Sequence, residues 1–329
     1  MRKIIKWIMV LVMAVGCAAA MTIAAEAATE GDFTYTVSGE KATITAFNKE
    51  ATGEVVIPDT LGGYPVTAIG GSAFTDCTSL KKITVPKSVT EIGDSAFKGC
   101  TSLEEMTLPF VGLSRTATSK MGVFGAVFGY TTAGSSSTKV DGAIYQYCNS
   151  VSVTYYHYYI PSSLRKVTIT DAAKIPKNAF YNCNMLTEIN INEGITAIDV
   201  SAFYNCTGIT EITIPGSVTS IGSSAFSGCT KLAVVDLPET ITNISSNAFS
   251  GAPVAADENR VDGNLYIDNI LISSKSGGTG TLKIREGTTA IADSVLSGRG
   301  YAEVILPDSV KAIGTSAFSS CRSLKTVVL

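Results

Sequence analysis

Histidine is almost absent from this 329-residue chain, which has one, and the sole tryptophan, Trp7, lies at the far N-terminus. Only 16% of the residues are charged, and the 25 basic ones form no cluster. No C-x-x-C pair occurs among the eight cysteines. Each absence closes a class of function. Without clustered Lys and Arg to neutralise phosphates, nucleic acid is not an expected partner. Lacking C-x-x-C spacing or grouped histidines, the chain offers no zinc or dithiol site, and no metal or other cofactor is expected. A Ser-His-Asp or Cys-His mechanism has only His157 to draw on, and no G-x-S-x-G elbow accompanies it. Acidic residues are scattered, and none is singled out by context as one of the paired carboxylates of glycoside hydrolysis. No enzyme activity is expected, and a secreted hydrolase ranks last among the function classes.

One apolar run stands out. Arg2, Lys3 and Lys6 precede the stretch from Trp7 to Ala25, which ends in Ala25-Glu26-Ala27. A basic start, an apolar centre and a small-x-small end describe a secretory signal peptide over residues 1–27, cleaved after Ala27. After cleavage no stable membrane span is expected, and the mature chain is more acidic than the formal net charge of −3 for the whole.

The rest of the chain repeats itself. "SAFTDCTSLKKITVP" at Ser72–Pro86 returns as "SAFKGCTSLEEMTLP" at Ser95–Pro109, and Ala-Phe pairs end at Phe74, Phe97, Phe180, Phe203, Phe226, Phe249 and Phe318, in steps of 23 where the array is unbroken. Worn copies at Phe124 and Leu296 bring the expectation to about nine coils. Within a coil, Phe226, Cys229, Leu232, Val235, Leu237, Ile241 and Ile244 are apolar, with polar residues alternating around Val235 and Leu237 as in a short strand. No coil this small buries its own apolar face, so the repeat predicts a stacked, mainly β solenoid, right-handed, with the kept residues pointing inward.

The pattern A-F-x-x-C-x-x-L-x-x-I-x-[IVL]-P-x-x-[VI]-T-x-I resembles the BspA-like leucine-rich repeat over residues 69–329, apart from insertions at about 112–161 and 253–280. Residues 28–68, with the stretch "DFTYTVSGEKATITAFNKEATGEVVIPDTLGGYPVTAIG", resemble the strand-rich N-terminal cap of that family. The inserts "DGNLYIDNILISSKSGGTGTLKI" and "YYHYYIPSSLRKVTIT" are also similar to it. The resemblance implies a secreted or cell-surface protein that adheres to an extracellular protein or glycan without catalysis.

Candidate chemistry is then weighed against the repeat. Cys77, Cys100, Cys183, Cys206, Cys229 and Cys321 share one column, in which Ala252 and Arg299 also stand, so they are expected as buried, reduced thiols; only Cys148, in an insertion, is expected to be accessible. "LPETI" at Leu237–Ile241 lacks the final Gly of a sortase signal, and "DENRVDG" at Asp257–Gly263 lacks the ligand alternation of a calcium loop and reads as a turn into a hairpin. Thr84, Thr107, Thr168 and Thr213 form an outward column broken by Asn190, Asp236 and Lys283, and Thr67, Thr90, Thr196, Thr219, Thr242 and Thr289 form a second one after the Pro turn. Such columns are read as strand formers rather than as a ligand face.

The first insertion carries Tyr145, Tyr147, Tyr155, Tyr156, Tyr158 and Tyr159 after a Gly/Ser/Thr run, which is the composition of adaptable binding loops and also that of a packed hairpin. These six are the candidate binding residues. The functional expectation is a recognition module whose contact zones are the strand face and this insertion. A structural spacer or self-assembling surface scaffold carrying another domain is the alternative. Leu329, the last residue, is expected on an inward strand position, with either further chain or a partner beyond it.

Overall fold

The computed structural model describes residues 26–133, 143–146, 155–256 and 260–329. The leader, apart from its last two residues, lies outside them, as do Tyr147, Cys148 and residues 257–259 of the acidic turn. Strands and three short 3₁₀ segments make up the regular structure of the described residues. They form a β-solenoid of about 12 turns of ~23 residues rather than nine, because strands of the cap and of the inserts join the same ladders as the repeat coils.

Two parallel ladders define two sides of the coil. One contains Gly53–Val56, Leu80–Thr84, Glu105–Leu108, Lys166–Ile169 and Glu188–Ile191, followed by the pair Glu211–Thr213 and Val234–Asp236. The other contains the two-residue strands Lys174–Ile175, Ala197–Ile198, Ser220–Ile221 and Asn243–Ile244. Registers such as Ile212↔Val235 and Ile198↔Ile221 repeat with the sequence period. Side chains alternate across each strand, so Ile189, Ile212 and Val235 are buried while Glu211 and Asp236 face solvent.

Among the described residues of the regular coils, the third side has no strands and is held by the Ala-Phe turn. Except before Ala248-Phe249, a residue with positive φ stands on either side of the pair, as Ser224 (φ 54°) and Gly228 (φ 76°) do around Ala225-Phe226. Left-handed positions let the chain reverse within five residues. Gly99 holds the place that Asp76, Asn182, Asn205 and Ser320 hold in other coils, all at positive φ, so the position asks for the dihedral, which Gly, Asn and Asp adopt most readily. Turns are bonded coil to coil: Phe180 N donates to Ala202 O at 2.7 Å, Phe203 N to Ala225 O at 2.8 Å and Phe226 N to Ala248 O at 2.7 Å.

Inside this side the phenylalanine rings stack. Centroids lie 5.2 Å apart for Phe180–Phe203 and 5.1 Å for Phe203–Phe226 and Phe226–Phe249, with planes within 12° of parallel. The column starts in the cap, where Phe33 meets Phe47 at 5.0 Å and Phe47 meets Phe74 at 4.9 Å. At the first insertion, the 3₁₀ segment Phe124–Phe128 supplies two rings where other coils supply one: Phe128 meets Phe97 at 6.5 Å and Phe124 meets Phe180 at 5.1 Å. The worn copy is therefore a working rung of the core.

Cysteine closes the same turn. Three Sγ atoms donate to the carbonyl of the phenylalanine one coil earlier: Cys100 to Phe74 O at 3.1 Å, Cys206 to Phe180 O at 3.0 Å and Cys229 to Phe203 O at 3.1 Å. Cys321 does the same to Leu296 O at 3.0 Å. All six described cysteines are free. Burial raises the Cys183 and Cys206 thiols well above their ordinary range and pushes Cys229 up to about 12, so these groups stay neutral and unreactive.

The ends differ from the middle. The cap is an antiparallel meander, Ala27–Glu30, Phe33–Ser38 and Lys41–Phe47, whose last strand runs parallel to Tyr64–Ile69 and so converts hairpin pairing into solenoid pairing. In the second insertion, Asn264–Ile267 and Ile270–Ser273 form the expected hairpin, and the latter strand pairs in parallel with Ala290–Ile291. The last coil departs from the expectation of uniform burial. Phe318 and Cys321 are half-buried and Leu329, level with the buried Leu306 in the ladder, is 86% exposed, because no described coil stacks on their outer side.

Two outcomes are expected. Phe226→Ala, which empties a site between two stacked rings, should cost about 3 to 5 kcal/mol in denaturant unfolding, and Phe318→Ala clearly less; a loss below about 1 kcal/mol at Phe226 would contradict the stacked core. Iodoacetamide applied to the native protein should leave Cys77, Cys100, Cys183, Cys206 and Cys229 unlabelled and react slowly at Cys321, with all six labelled after unfolding. Mass spectrometry showing a Cys206–Cys229 disulfide would contradict the thiol-to-carbonyl column.

Candidate recognition surfaces

The outward side of the first ladder presents two rows. Pairing places Glu54, Lys82, Glu105, Lys166 and Glu188 in one row, so charge alternates from coil to coil. Lys82 Nζ lies 3.8 Å from Glu54 and 3.5 Å from Glu105, and Lys166 Nζ lies 2.7 Å from Glu188. The close partner raises the Lys166 pKa and, with help from Asn190, lowers that of Glu188. Exposed pairs of this kind contribute roughly 0.2 to 1 kcal/mol each, so the row adds little stability and mainly neutralises the face.

The compensation stops after Glu188. Glu211 and Asp236 have no ion-pair partner among the described residues, and a concavity of about 1080 Å³ opens there, lined by Thr168, Glu188, Asn190, Glu211, Thr213 and Asp236 among others. The neighbouring row is the predicted outward threonine column: Thr84 pairs with Thr107, Thr107 with Thr168, and Thr168 with Asn190, whose Nδ2 donates to Thr168 Oγ1 at 3.4 Å. Its residues are accessible, part-buried at Thr84, Thr107 and Thr168 and exposed at Thr213.

The second threonine column has a different use. Thr90 Oγ1 donates to Thr67 O and Thr219 Oγ1 to Thr196 O, each at 3.2 Å, and Thr242 Oγ1 to Thr219 O at 3.3 Å. Thr289 Oγ1 reaches Asn269 O in the same way. Each hydroxyl thus satisfies a carbonyl of the preceding coil, which is a structural task.

In the tyrosine insertion, Tyr155–Tyr158 lies between Tyr130–Ala133 and Ile144–Tyr145 in a three-stranded antiparallel sheet. Tyr158 is fully buried, with its hydroxyl donating to Lys120 O at 2.9 Å, so this candidate packs and presents nothing outward. Tyr145, Tyr156 and Tyr159 are part-exposed. Lys120 Nζ stands over the rings of Tyr130 and Tyr156 at 4.8 and 5.4 Å. Tyr159 lines, with Ile144, Ile160 and Met185, a second cavity of about 600 Å³. His157 is buried against the Tyr145 ring, 5.5 Å between centroids, and its Nδ1 has no hydrogen-bond partner among the described residues.

Sequence reasoning missed the residue that fastens this sheet to the coils. Gln146 is fully buried; its Oε1 accepts from Gly125 N at 2.7 Å, and its Nε2 donates to Tyr181 O at 3.1 Å and Cys183 Sγ at 3.2 Å. It also passed over Tyr181 and Tyr204, whose only signal is the twice-used Ala-Phe-Tyr-Asn-Cys.

Comparison with known proteins places these surfaces in context. The model of the BspA type leucine rich repeat region matches in six copies over residues 42–121, 151–256 and 274–329. No curated protein matches. Among solved structures, a leucine rich cell surface protein of Faecalibacterium prausnitzii A2-165 is 26% identical with a TM-score of 0.37, covering 92% of this chain and 76% of that one. A leucine-rich repeat protein from Bacteroides ovatus is 18% identical with a TM-score of 0.37, covering 91% and 70%. The leucine rich repeat protein of T. pallidum is 21% identical with a TM-score of 0.31, covering 89% and 88%.

Proposed function

Given that this chain belongs to the BspA-type leucine-rich repeat family, we propose that it is an exported, non-enzymatic recognition protein of the cell surface or its surroundings, an adhesion module for an extracellular protein or glycan. The observation that carries the reading is the place on the strand face where charge compensation ends. From Gly53 to Ile191 the charges of the row are paired with their neighbours, whereas Glu211 and Asp236 have no ion-pair partner among the described residues and lie with Asn190 and Thr213 around the concavity of about 1080 Å³. A partner with basic and donor groups is the complement of this surface. The coils on either side are bonded to each other at the Ala-Phe turn and through Ala197–Ile198 and Ser220–Ile221, while no ladder bond joins Glu188–Ile191 to Glu211–Thr213, so the concavity opens where the strand ladder is interrupted. Tyr145, Tyr156 and Tyr159, with Tyr147 and Tyr155 of the same insertion, supply a second zone of amphipathic contact. Export follows from the leader, and processing would begin the mature chain at Ala28.

The test is surface plasmon resonance of the secreted chain over a panel of immobilised extracellular-matrix proteins. For the protein ligand that is captured, the double variant Glu211→Lys with Asp236→Lys should weaken binding by about tenfold or more, chiefly through the on-rate, and should flatten its salt dependence. Both side chains face solvent, so unfolding should move by no more than about 0.5 kcal/mol. Unchanged binding with unchanged salt dependence would remove the strand face from the contact zone. N-terminal sequencing of the exported protein checks Ala28.

A further inference from the structure

We propose that the Ala-Phe side of the solenoid carries a subsite for a neutral glycan, built on the ring of Tyr204. This rests on the reading of the chain as a recognition module and assigns a ligand class to a place away from the strand face. Two rows run side by side from the tyrosine insertion into the coils. In the aromatic row, Tyr145 meets Tyr181 edge-on at 6.2 Å, and Tyr181 stacks on Tyr204 at 4.7 Å with planes 12° apart. In the amide row, Asn182 Nδ2 donates to Tyr145 O at 2.9 Å, and Asn205 Nδ2 donates to Asn182 Oδ1 at 2.8 Å.

Both rows end at the same step. The next two coils read Phe226-Ser227-Gly228 and Phe249-Ser250-Gly251 where the earlier ones read Phe-Tyr-Asn. Backbone bonds keep these positions in line: Asn182 N to Tyr204 O, Asn205 N to Ser227 O and Gly228 N to Ser250 O, each at 2.8 Å. A serine and a glycine therefore occupy the places of the next ring and the next amide. Tyr204 is part-exposed, Tyr181 covers one of its faces, and no ring among the described residues covers the other. The Asn205 nitrogen is committed to Asn182, while its Oδ1 lies toward Gly228, 3.4 Å from where a Cβ would be.

The outcome is a step with a flat ring as its riser, an amide oxygen at its corner and serine hydroxyls on its tread. A π face carries negative charge density and attracts the polarised C–H groups of a pyranose ring, as it attracts the edge of another aromatic ring. An amide oxygen and serine hydroxyls are acceptors and donors for sugar hydroxyls. The residues that form the step, Tyr204, Asn205, Ser227 and Ser250, are all uncharged, which suits a neutral sugar over an acidic one. A ligand ring here continues the Tyr145–Tyr181–Tyr204 row by one place.

The experiment titrates the mature protein with cellohexaose, xylohexaose, chitohexaose and maltohexaose, read by calorimetry and by tyrosine fluorescence, which Trp7 does not obscure once the leader is gone. At least one oligosaccharide should bind. Tyr204→Ala should weaken it tenfold or more, and Tyr204→Phe less than threefold. Ser227→Tyr, which sets a protein ring on the step, should abolish binding while leaving the melting temperature equal or higher, and so separates a lost site from a lost fold. Binding by none of the four, or undiminished binding by Ser227→Tyr, overturns the subsite. Should that happen while protein capture still responds to Glu211→Lys with Asp236→Lys, the recognition reading stands and only the glycan step falls.

Discussion

The contact on which the rest of the molecule depends is the stacking of one phenylalanine on the phenylalanine of the next coil, at about 5.1 Å. A coil of some 23 residues has too few apolar groups to form a core, so each is stable only through its neighbours. The Ala-Phe turn meets this constraint three times over. Its ring buries apolar area, its amide bonds the alanine carbonyl of the following coil, and its carbonyl accepts the thiol of the following cysteine. Tight reversal at left-handed residues makes that register possible, and the register then fixes the two ladders.

Once the inner side is fixed, the outer sides are free to vary, and their chemistry is displayed at the spacing of the rungs. A row of alternating Glu and Lys, a row of threonines and a row of tyrosines are each one position of the repeat read along the axis. Where a row changes residue type, the surface acquires a boundary. The charge row loses its partners after Glu188, and the aromatic row stops at Tyr204. In a solenoid, such boundaries are where one face differs from the repetition around it, and they are the places with a defined position along the axis.

The two insertions show how an interruption is absorbed. The first keeps the phenylalanine column continuous by supplying Phe124 and Phe128 where one ring stood elsewhere, and fastens its sheet through the three hydrogen bonds of Gln146. A buried amide with its partners in place holds the sheet in one position, whereas an unpaired one would disfavour docking altogether. The second insertion pays the same debt differently, by lending the strand Ile270–Ser273 to the ladder before the repeat resumes.

The sequence by itself determined whatever is periodic: the coil, the inward phenylalanines and cysteines, the strand alternation and the outward threonines all follow from which residues are kept every 23 positions. Such features need only contacts between equivalent residues of adjacent coils, so one coil predicts the next. Tertiary structure alone decided what is not periodic. It extended the ring column into Phe33 and Phe47 of the cap, buried Tyr158 while leaving Tyr145 and Tyr159 part-exposed, and joined Tyr145 to Tyr181 across 36 positions of sequence. It also left Phe318 and Leu329 partly or largely open where the pattern placed them inside, since burial is conferred by the neighbouring coil and not by the residue's own repeat. The tyrosine composition was legible as binding or packing; which ring does which depends on long-range contacts that no local pattern encodes.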